Sequence, residues 1–289
     1  MSETVGINLK KIFAKALDPI HIGAGGYKLG RVDNTIVREP ATDLPKIPGT
    51  AIAGVTRYFA EIINENNSEK IDIEKIFGTE EQKGKLHFYD GQIILFPVYS
   101  SVGTIWITTK DLFKYWFKDD KNEEDKLKFL DEIEKEDKAY AIKGIKQENK
   151  TLNLGWILIE VETKYSDVKL TIPDELNKFV KRIVVVPEKL FSTLVNDNLE
   201  VRTSVKIDKT TGTAADGGLF TYEAIPRGTI IGFEIGYDMK NEEIAKLKEE
   251  MVEKIKLYFK LLGIGGMGTR GFGRLEIIEK QKGDSNDKS

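Results

Sequence analysis

A run of glycines near the end of this chain is the feature that most limits how it can fold. The segment 262–277 reads LGIGGMGTRGFGRLEI, and Arg270 and Arg274 lie within it. Its glycines are Gly263, Gly265, Gly266, Gly268, Gly271 and Gly273. Such a run cannot form a regular helix or strand, because glycine loses more backbone entropy on ordering than any other residue. Without Cβ atoms, its N–H groups can approach a phosphate or another stretch of backbone.

The elements around this run exclude the common nucleotide-binding loops. Apolar residues at helical spacing precede it in 241–262, and RLEIIE, residues 274–279, is typical of a strand. The Rossmann fingerprint needs the opposite order, a strand before the glycines and a helix after them. A P-loop needs Gly-Lys followed by Ser or Thr, which this run lacks. A nucleotide-dependent enzyme is therefore disfavoured, and a plain connector remains the alternative to a phosphate clamp.

Composition excludes several other kinds of site. The 289 residues include no cysteine and only two histidines, His21 and His87. Disulfides and cysteine nucleophiles are thereby excluded, and a multi-histidine zinc site is disfavoured. No apolar run approaches the roughly 20 residues of a membrane span, and MSETVGINLKK has no signal-peptide core. These features predict a cytoplasmic protein that does not contact membranes.

Charge is distributed unevenly along the chain. The net charge is −3, but residues 118–138 hold ten acidic residues against six lysines. The remainder is close to neutral, so local basic patches remain possible although no dominant basic field exists. The acidic segment is expected to be a solvated helical insertion.

Strand and helix patterns mix without a strict βαβ alternation, which favours an α+β fold over a doubly wound sheet. The units fit a ferredoxin-like β-α-β-β-α-β core with insertions. We expect one domain over residues 1–279, followed by a disordered tail at 280–289. Within the domain we expect a helical insertion at about 111–150 and a protruding hairpin at about 203–229.

The clearest helix start is Pro48-Gly49-Thr50, where Thr50 is predicted to be the N-cap. The N-terminus of this helix has free N–H groups and the positive end of the helix dipole, so it can hold an anion. The alternative is that the helix is capped internally and only packs on a sheet.

Several segments together resemble one family. A glycine-rich loop between the last helix and the last strand resembles the signature of the RAMP proteins of CRISPR systems, which have folds like the RNA-recognition motif (RRM). LDPIHIGAG at 17–25 with LGRVDNTIVREP at 29–40, PKIPGTAIAGVTR at 45–57, and residues 202–229 resemble the repeated backbone subunit of the type III-B (Cmr) effector complex. The resemblance covers nearly the whole chain apart from 111–150 and the tail.

The resemblance implies a function. Several copies of such a subunit stack into a filament along a CRISPR RNA, together with other Cmr subunits. A thumb hairpin interrupts the duplex of guide and single-stranded target RNA at regular steps. The target is cut at each interruption in a reaction that needs a divalent metal, expected to be Mg²⁺. Asp33 matches the catalytic aspartate of the family.

Asp33, His21 and Glu223 are the catalytic residues that the resemblance implies. RNA cleavage by its own 2′-hydroxyl needs in-line geometry, base assistance and charge stabilisation at the phosphate. Asp33 would serve as a weak base, orient the sugar or hold Mg²⁺ through water. His21 would be a general acid or base, and Glu223 lies in a segment associated with the family's site. The non-catalytic alternatives are that Asp33 is a turn aspartate and that His21 is a packed histidine.

Guide binding is expected to rest on phosphate contacts, because a guide of any sequence must fit. The candidate RNA-binding residues are Lys46, Gly49, Thr50, Arg57, Gly265, Gly266, Gly268, Arg270, Gly271, Gly273 and Arg274. The chain departs from the family at Ala53, where a lysine is common, so Lys46 or Arg57 would take its place.

Two other functions remain open on the sequence. The chain is either a scaffold that binds guide RNA without catalysis, or a stand-alone RAMP endoribonuclease that matures precursor CRISPR RNA. The second kind of enzyme usually relies on histidine chemistry.

Overall fold

The structure is a computed structural model, and it describes the greater part of the chain. The described residues are 7–25, 32–68, 70–118, 130, 138–146, 151–166, 168, 170, 172–238, 244, 245, 247, 249 and 251–278.

The elements of this described part are strands and helices in mixed order. The strands are β1 (Ile7–Ala16), β2 (Lys46–Ile47), β3 (Leu86–Phe88), β4 (Gly91–Val98), β5 (Ile105–Thr108), β6 (Ala139–Lys143), β7 (Thr151–Leu154), β8 (Ile157–Glu162), β9 (Ile183–Val185), β10 (Glu200–Ile207), β11 (Ala214–Ala224), β12 (Ile230–Asp238) and β13 (Leu275–Ile278). The helices are α1 (Gly49–Glu65), α2 (Ile73–Phe77), α3 (Lys110–Phe117), α4 (Asp174–Phe179), α5 (Glu188–Asp197) and α6 (Val252–Leu261). Across these ranges, no helix is both long and apolar enough to span a membrane.

One large mixed sheet dominates the fold, with strand order β13-β1-β12-β4-β5-β9-β6-β8-β7. The first four strands of that order pair antiparallel throughout. Because α1 lies between β1 and β4 in the chain, and α6 between β12 and β13, these elements follow the β-α-β-β-α-β order of a ferredoxin-like core. The α+β prediction is therefore confirmed, and β5 to β9 extend the core sheet at the β4 edge.

Side chains on both faces of this sheet are buried. Consecutive residues of β1, Ile12 and Phe13, belong to two different apolar clusters, as expected when successive side chains point to opposite faces. Phe59 of α1 and Phe259 of α6 pack into the first cluster, and Phe113 of α3 packs into the second. The sheet is therefore covered by helices on each side, which makes it a rigid platform.

The predicted hairpin exists, with shifted bounds. β10 and β11 pair only with each other in a separate two-stranded sheet, from Glu200 opposite Ala224 to Ile207 opposite Ala214. Its turn is organised by Asp208, whose Oδ1 accepts the N–H groups of Thr210 and Thr211. Ile225 leaves the hairpin and pairs with Ile20 instead. The predicted start at 203 was late and the predicted end at 229 was too far along the chain.

The helical insertion predicted at 111–150 is wrong in part. α3 ends at Phe117, and β6 occupies Ala139–Lys143 between β9 and β8. β6 is buried on both faces, and such a short apolar run does not reveal by its periodicity whether it is helix or strand. Most of 118–138 and the tail at 280–289 lie outside the described residues.

Candidate functional site

Asp33 is held by a single residue of the hairpin, Thr221 on β11. The Thr221 N–H and the Thr221 hydroxyl each donate a hydrogen bond to Oδ2 of Asp33, both at 2.8 Å. The Asp33 N–H donates in return to Oγ1 of Thr221 at 2.9 Å. These three bonds close a small ring between residues 188 positions apart, so the hairpin orients the Asp33 carboxylate.

The same contacts determine the charge of Asp33. The Thr221 N–H, and after it the Thr221 hydroxyl, lower the pKa of the Asp33 carboxyl, because both stabilise the ionised form. Asp33 is exposed, and its Oδ1 accepts no hydrogen bond from a described residue. The group is therefore an ionised carboxylate at neutral pH, with one oxygen that no described residue occupies.

The chain after Asp33 runs alongside β11. Asn34 pairs in parallel with Tyr222: the Asn34 N–H donates to the Thr221 carbonyl, and the Glu223 N–H donates to the Asn34 carbonyl, both at 3.0 Å. This pairing adds a third extended segment to the hairpin at its base. Residues 26–31, which precede the site and include Arg31, lie outside the described part of the chain.

Glu223 is paired inside the protein rather than presented to a substrate. Its Oε1 accepts from Nη2 of Arg38 at 2.7 Å, and its Oε2 accepts from the Ile36 N–H at 3.3 Å. The side chains of Arg38 and Glu223 are 20% and 12% exposed. Arg38 also contacts Oδ1 of Asn196 on α5. Glu223 therefore fastens the segment after Asp33 to the hairpin.

His21 is buried against the other side of the hairpin base. Its Nδ1 lies 2.7 Å from the Glu223 carbonyl oxygen, which can only accept, so Nδ1 carries the proton. Its ring meets the Tyr222 ring edge-on, with centroids 5.8 Å apart. The main-chain carbonyl of His21 accepts the Gly266 N–H at 2.9 Å. His21 thus joins the hairpin to the glycine loop.

Asp33 and His21 face opposite sides of the hairpin base. Thr221 and Tyr222 are consecutive residues of β11, so their side chains point in opposite directions. Asp33 contacts Thr221, whereas the His21 ring contacts Tyr222. One subunit therefore does not bring Asp33, His21 and Glu223 together around one reacting phosphate.

The glycine loop, residues 262–274, packs on the segment that follows β1. Gly273 donates to the Pro19 carbonyl at 2.8 Å, and the Leu17 N–H donates to the Arg274 carbonyl at 2.9 Å. Within the loop, the Ile264 N–H donates to the Gly273 carbonyl at 2.9 Å. Several of its N–H groups are therefore used inside the protein, including those of Gly266 and Gly273, which were predicted to contact RNA.

Half of the glycines are required by close packing. A Cβ on Gly263 would lie 2.4 Å from Gly273, one on Gly265 would lie 2.5 Å from the His21 carbonyl oxygen, and one on Gly273 would lie 2.3 Å from the Ile264 carbonyl oxygen. All three have φ between 77° and 94°. The same crowding is absent at Gly266 and Gly268, which are exposed and have their nearest neighbours at 3.6 Å. The loop thus has a packed base and an open rim.

Arg270 is the basic side chain on this rim. It is exposed, and its guanidinium makes no hydrogen bond or ion pair with a described residue. It follows Gly268 in a short 3₁₀ turn, and Gly271 comes next with φ of 80°. Exposed Gly266, Gly268 and Gly271 around one unpaired arginine make a surface that a phosphate can approach closely.

The other predicted RNA-binding cations are already paired within the protein. Lys46 donates to Oε2 of Glu39 at 2.9 Å and to Oδ2 of Asp90 at 2.7 Å, and the Asp90 and Glu39 carboxylates raise the pKa of Lys46. Arg274 is paired with Asp18, and its guanidinium lowers the pKa of the Asp18 carboxyl.

Arg57 is likewise occupied, by Oε1 of Glu61 at 2.8 Å and by the Gly78 carbonyl at 2.9 Å. The first contact lies within α1, and the second joins α1 to the residue that ends α2. Sequence alone shows that these cations exist, and the structure shows where each of them is neutralised.

The start of α1 is also occupied. Pro48 is the N-cap, without a side-chain cap bond, so the prediction that Thr50 caps the helix is wrong. The Gly49 N–H instead donates to Oδ1 of Asp90 at 2.7 Å, and this bond, after that from Lys46, lowers the pKa of Asp90. An internal carboxylate therefore sits at the positive end of the helix and occupies the Gly49 N–H.

Asp33 can hold a divalent cation only if water or substrate supplies the other ligands. No three His, Cys, Asp or Glu side chains in the described ranges cluster closely enough to hold a metal ion. Mg²⁺ commonly keeps several waters and binds through one or two carboxylates plus substrate phosphates. The open Oδ1 of Asp33 suits that role, whereas the Glu223 carboxylate is taken by Arg38.

Sequence reasoning missed Thr221, Arg38 and Arg202. Arg202 of β10 donates to the Gly271 carbonyl at 3.5 Å, and its guanidinium lies 4.6 Å from the centre of the Phe272 ring, so it ties the hairpin to the glycine loop. The available signal was strand alternation in EVRTSVKI and LFTYEA, which separates Thr221 and Glu223 from Tyr222.

Comparison with known proteins agrees across nearly the whole chain. Residues 13–276 match the model of the RAMP superfamily. The chain is 32% identical over 285 residues to the CRISPR system Cmr endoribonuclease Cmr4 of Pyrococcus furiosus, covering 92% of this chain and 93% of that protein.

Solved structures show the same fold at lower identity. One is a type III-B Cmr-beta complex bound to cognate target RNA, with a TM-score of 0.76 and 18% identity over 93% of this chain and 96% of that chain. Another is oligomeric Cmr4 from Pyrococcus furiosus, with a TM-score of 0.62 and 22% identity over the same shares of the two chains.

Proposed function

This chain belongs to the RAMP superfamily, and from that membership we propose that it is the backbone subunit of a type III-B CRISPR Cmr ribonucleoprotein. Copies of it polymerise along a CRISPR RNA, and each copy cleaves bound target RNA at a regular interval. The observation that carries the proposal is the full-length similarity to the Cmr4 endoribonuclease. The partners are CRISPR RNA, single-stranded target RNA, further copies of the chain and other Cmr subunits, in the cytoplasm.

Asp33 is the group at which this chain acts on the target. An efficient general base has a pKa near the working pH, and that of Asp33 is lowered by Thr221. Proton abstraction is therefore not its best task. An exposed carboxylate with a fixed Oδ2 and an open Oδ1 is better suited to orient a 2′-hydroxyl or to hold a cation through water.

Mg²⁺ at Oδ1 of Asp33 would supply positive charge for the oxygens of the scissile phosphate. Asp33 supplies one ligand position, and its orientation is maintained by Thr221. Holding the target nucleotide in line accounts for a large share of the rate, because orientation alone contributes up to about 7–11 kcal/mol in intramolecular reactions.

His21 and Glu223 are assigned to positioning in this proposal. Glu223 fastens the segment behind Asp33 through Arg38, and His21 fastens the glycine loop through its carbonyl group. The open rim at Gly266, Gly268, Gly271 and Arg270 receives the guide backbone. Contacts of this kind carry no sequence preference, as a guide of any sequence requires.

The test is reconstitution of the complex with guide RNA and an end-labelled complementary target, with and without Mg²⁺. The expected result is a ladder of products at constant spacing that needs Mg²⁺. The Asp33→Ala variant should bind guide and target normally and cleave at least about 100-fold more slowly, the usual loss when one group that stabilises the transition state is removed.

Two outcomes would overturn parts of this proposal. Full cleavage by Asp33→Ala would make the subunit a scaffold with its chemistry elsewhere. Efficient cutting of precursor CRISPR RNA by the isolated chain without metal would favour a stand-alone processing enzyme instead.

A further inference from the structure

Both hydrogen bonds that the Asp33 carboxylate accepts from other described residues come from Thr221. Its N–H and its hydroxyl both bind Oδ2 at 2.8 Å, and its Oγ1 also accepts the Asp33 N–H at 2.9 Å. The hydroxyl therefore acts as donor and acceptor in one closed ring. An exposed aspartate without such contacts turns freely among its rotamers.

We propose that Thr221 is the positioning residue of the cleavage site, which locks the Asp33 carboxylate with Oδ2 inward and Oδ1 toward the target. This inference rests on the proposed function, because it assigns Asp33 to target cleavage. It adds a residue on the hairpin, which is remote in sequence, to the machinery of the reaction.

The hydroxyl is needed in addition to the backbone donor. One N–H bond leaves the carboxylate free to swing about that contact, whereas two donors on the same oxygen define its plane. Losing one of the two hydrogen bonds to this charged group should reduce the population of the oriented state by roughly tenfold.

The base of the hairpin makes this arrangement stiff. Thr221 lies in β11 opposite Thr203 of β10, and the segment beginning at Asn34 pairs with β11 from the other side. Target RNA that contacts the hairpin would therefore move Thr221 and Asp33 as one unit. The aspartate keeps its orientation relative to the hairpin, whichever step of the target is bound.

The experiment compares four variants in the reconstituted complex. Thr221→Val removes the hydroxyl at constant shape, Thr221→Ala removes it without added apolar surface, and Thr221→Ser restores it. Thr203→Val is the matched control, since Thr203 is the exposed cross-strand neighbour and its hydroxyl has no hydrogen bond to a described residue. The readouts are single-turnover cleavage at saturating target, affinity for target, and the unfolding midpoint.

We expect Thr221→Val and Thr221→Ala to cleave about tenfold more slowly with target affinity within about twofold of the parent, because only the reacting geometry is lost. Thr221→Ser should recover most of the rate and Thr203→Val should match the parent. Cleavage by both hydroxyl-free variants at the parent rate, while Asp33→Ala is inactive, would overturn the role of Thr221 alone. Full cleavage by Asp33→Ala would instead overturn the proposed role of Asp33 in target cleavage, on which the role of Thr221 rests.

Discussion

The guanidinium of Arg38 and the carboxylate of Glu223 form a largely buried ion pair across 185 residues of sequence, with Nη2 and Oε1 2.7 Å apart. The pair joins the segment behind Asp33 to the hairpin. Because the pair is largely buried, the Glu223 carboxylate is occupied by Arg38 within the subunit. Removing one member of a buried pair is costly, because the remaining charge stays without a partner.

Substitutions at this pair separate a structural role from a catalytic one. Glu223→Ala should destabilise the protein by about 3 kcal/mol, and Arg38→Ala by a similar amount. Glu223→Gln keeps an acceptor for Arg38 and should cleave target at close to the parent rate. The measurements are chemical denaturation and single-turnover cleavage. Loss of cleavage in a stably folded Glu223→Gln complex would restore Glu223 to the catalytic group.

Substitution of His21 also separates a structural role from a catalytic one. The amide of Asn places an N–H close to the position of Nδ1, so His21→Asn should keep the bond to the Glu223 carbonyl. We expect its cleavage rate within about threefold of the parent, since no proton transfer is assigned to the ring. His21→Ala removes the bond to the Glu223 carbonyl and the contact with Tyr222, so it should loosen the segment whose main-chain carbonyl holds Gly266 and thereby weaken guide binding. A folded, guide-bound His21→Asn complex that fails to cleave would show that the ring takes part in chemistry.

Local patterns in the sequence predicted the elements of the core but not the contacts of the site. The order of helix, glycine loop and final strand is visible because each element has its own periodicity or composition. The Asp33–Thr221 ring joins residues 188 positions apart, and no local pattern records that pairing. The resemblance to a family pointed to Asp33, and only the fold shows what orients it.

The contacts of the basic residues were likewise not predictable from local sequence. Lys46 and Arg57 are conspicuous in the sequence near a helix start, but the sequence does not show that Asp90, 44 residues beyond Lys46, neutralises that lysine and also binds the helix terminus. The glycine loop was predictable as a loop from entropy alone. That its glycines pack on one another and on His21 depends on which segment folds against them.

Within the glycine loop, the packed base and the open rim should respond differently to alanine. Gly273→Ala would put a Cβ 2.3 Å from the Ile264 carbonyl oxygen at φ of 94°, and should cost about 3 kcal/mol or prevent folding. Gly268→Ala has its nearest neighbour at 3.6 Å and should change the free energy of unfolding by less than about 1 kcal/mol. Denaturant titration of the free subunit compares them. Equal stability of the two variants would contradict the packed base.

Low pH should destabilise the protein through Glu276 of β13. Lys15, and after it Lys260, lower the pKa of the Glu276 carboxyl below its ordinary value of 4.5. Glu276 therefore binds a proton more readily in the unfolded chain than in the folded protein. Its contribution to the free energy of unfolding is present above pH 4.5 and is lost as the pH falls through the folded pKa.

The variant Glu276→Gln removes that contribution at every pH. It should lower the free energy of unfolding by about 1 kcal/mol at pH 7, with a difference from the parent that shrinks below pH 4.5. Glu253→Gln, at an exposed pair with Lys256, is the control and should show a smaller difference. A difference between parent and Glu276→Gln that grows as the pH falls would contradict the sign.

Arg270 and Arg57 should differ in their effect on RNA binding, although the sequence makes both look suitable. Arg270 is exposed on the rim without a partner among the described residues, whereas Arg57 is bound to Glu61 and the Gly78 carbonyl. A cation that contacts one phosphate releases about one counterion, so Arg270→Ala should reduce the slope of log affinity against log salt by about 1. Arg57→Ala should leave that slope unchanged. The comparison uses guide-length RNA at several salt concentrations, and an unchanged slope for Arg270→Ala with a reduced one for Arg57→Ala would move the guide path from the glycine rim to the surface of α1.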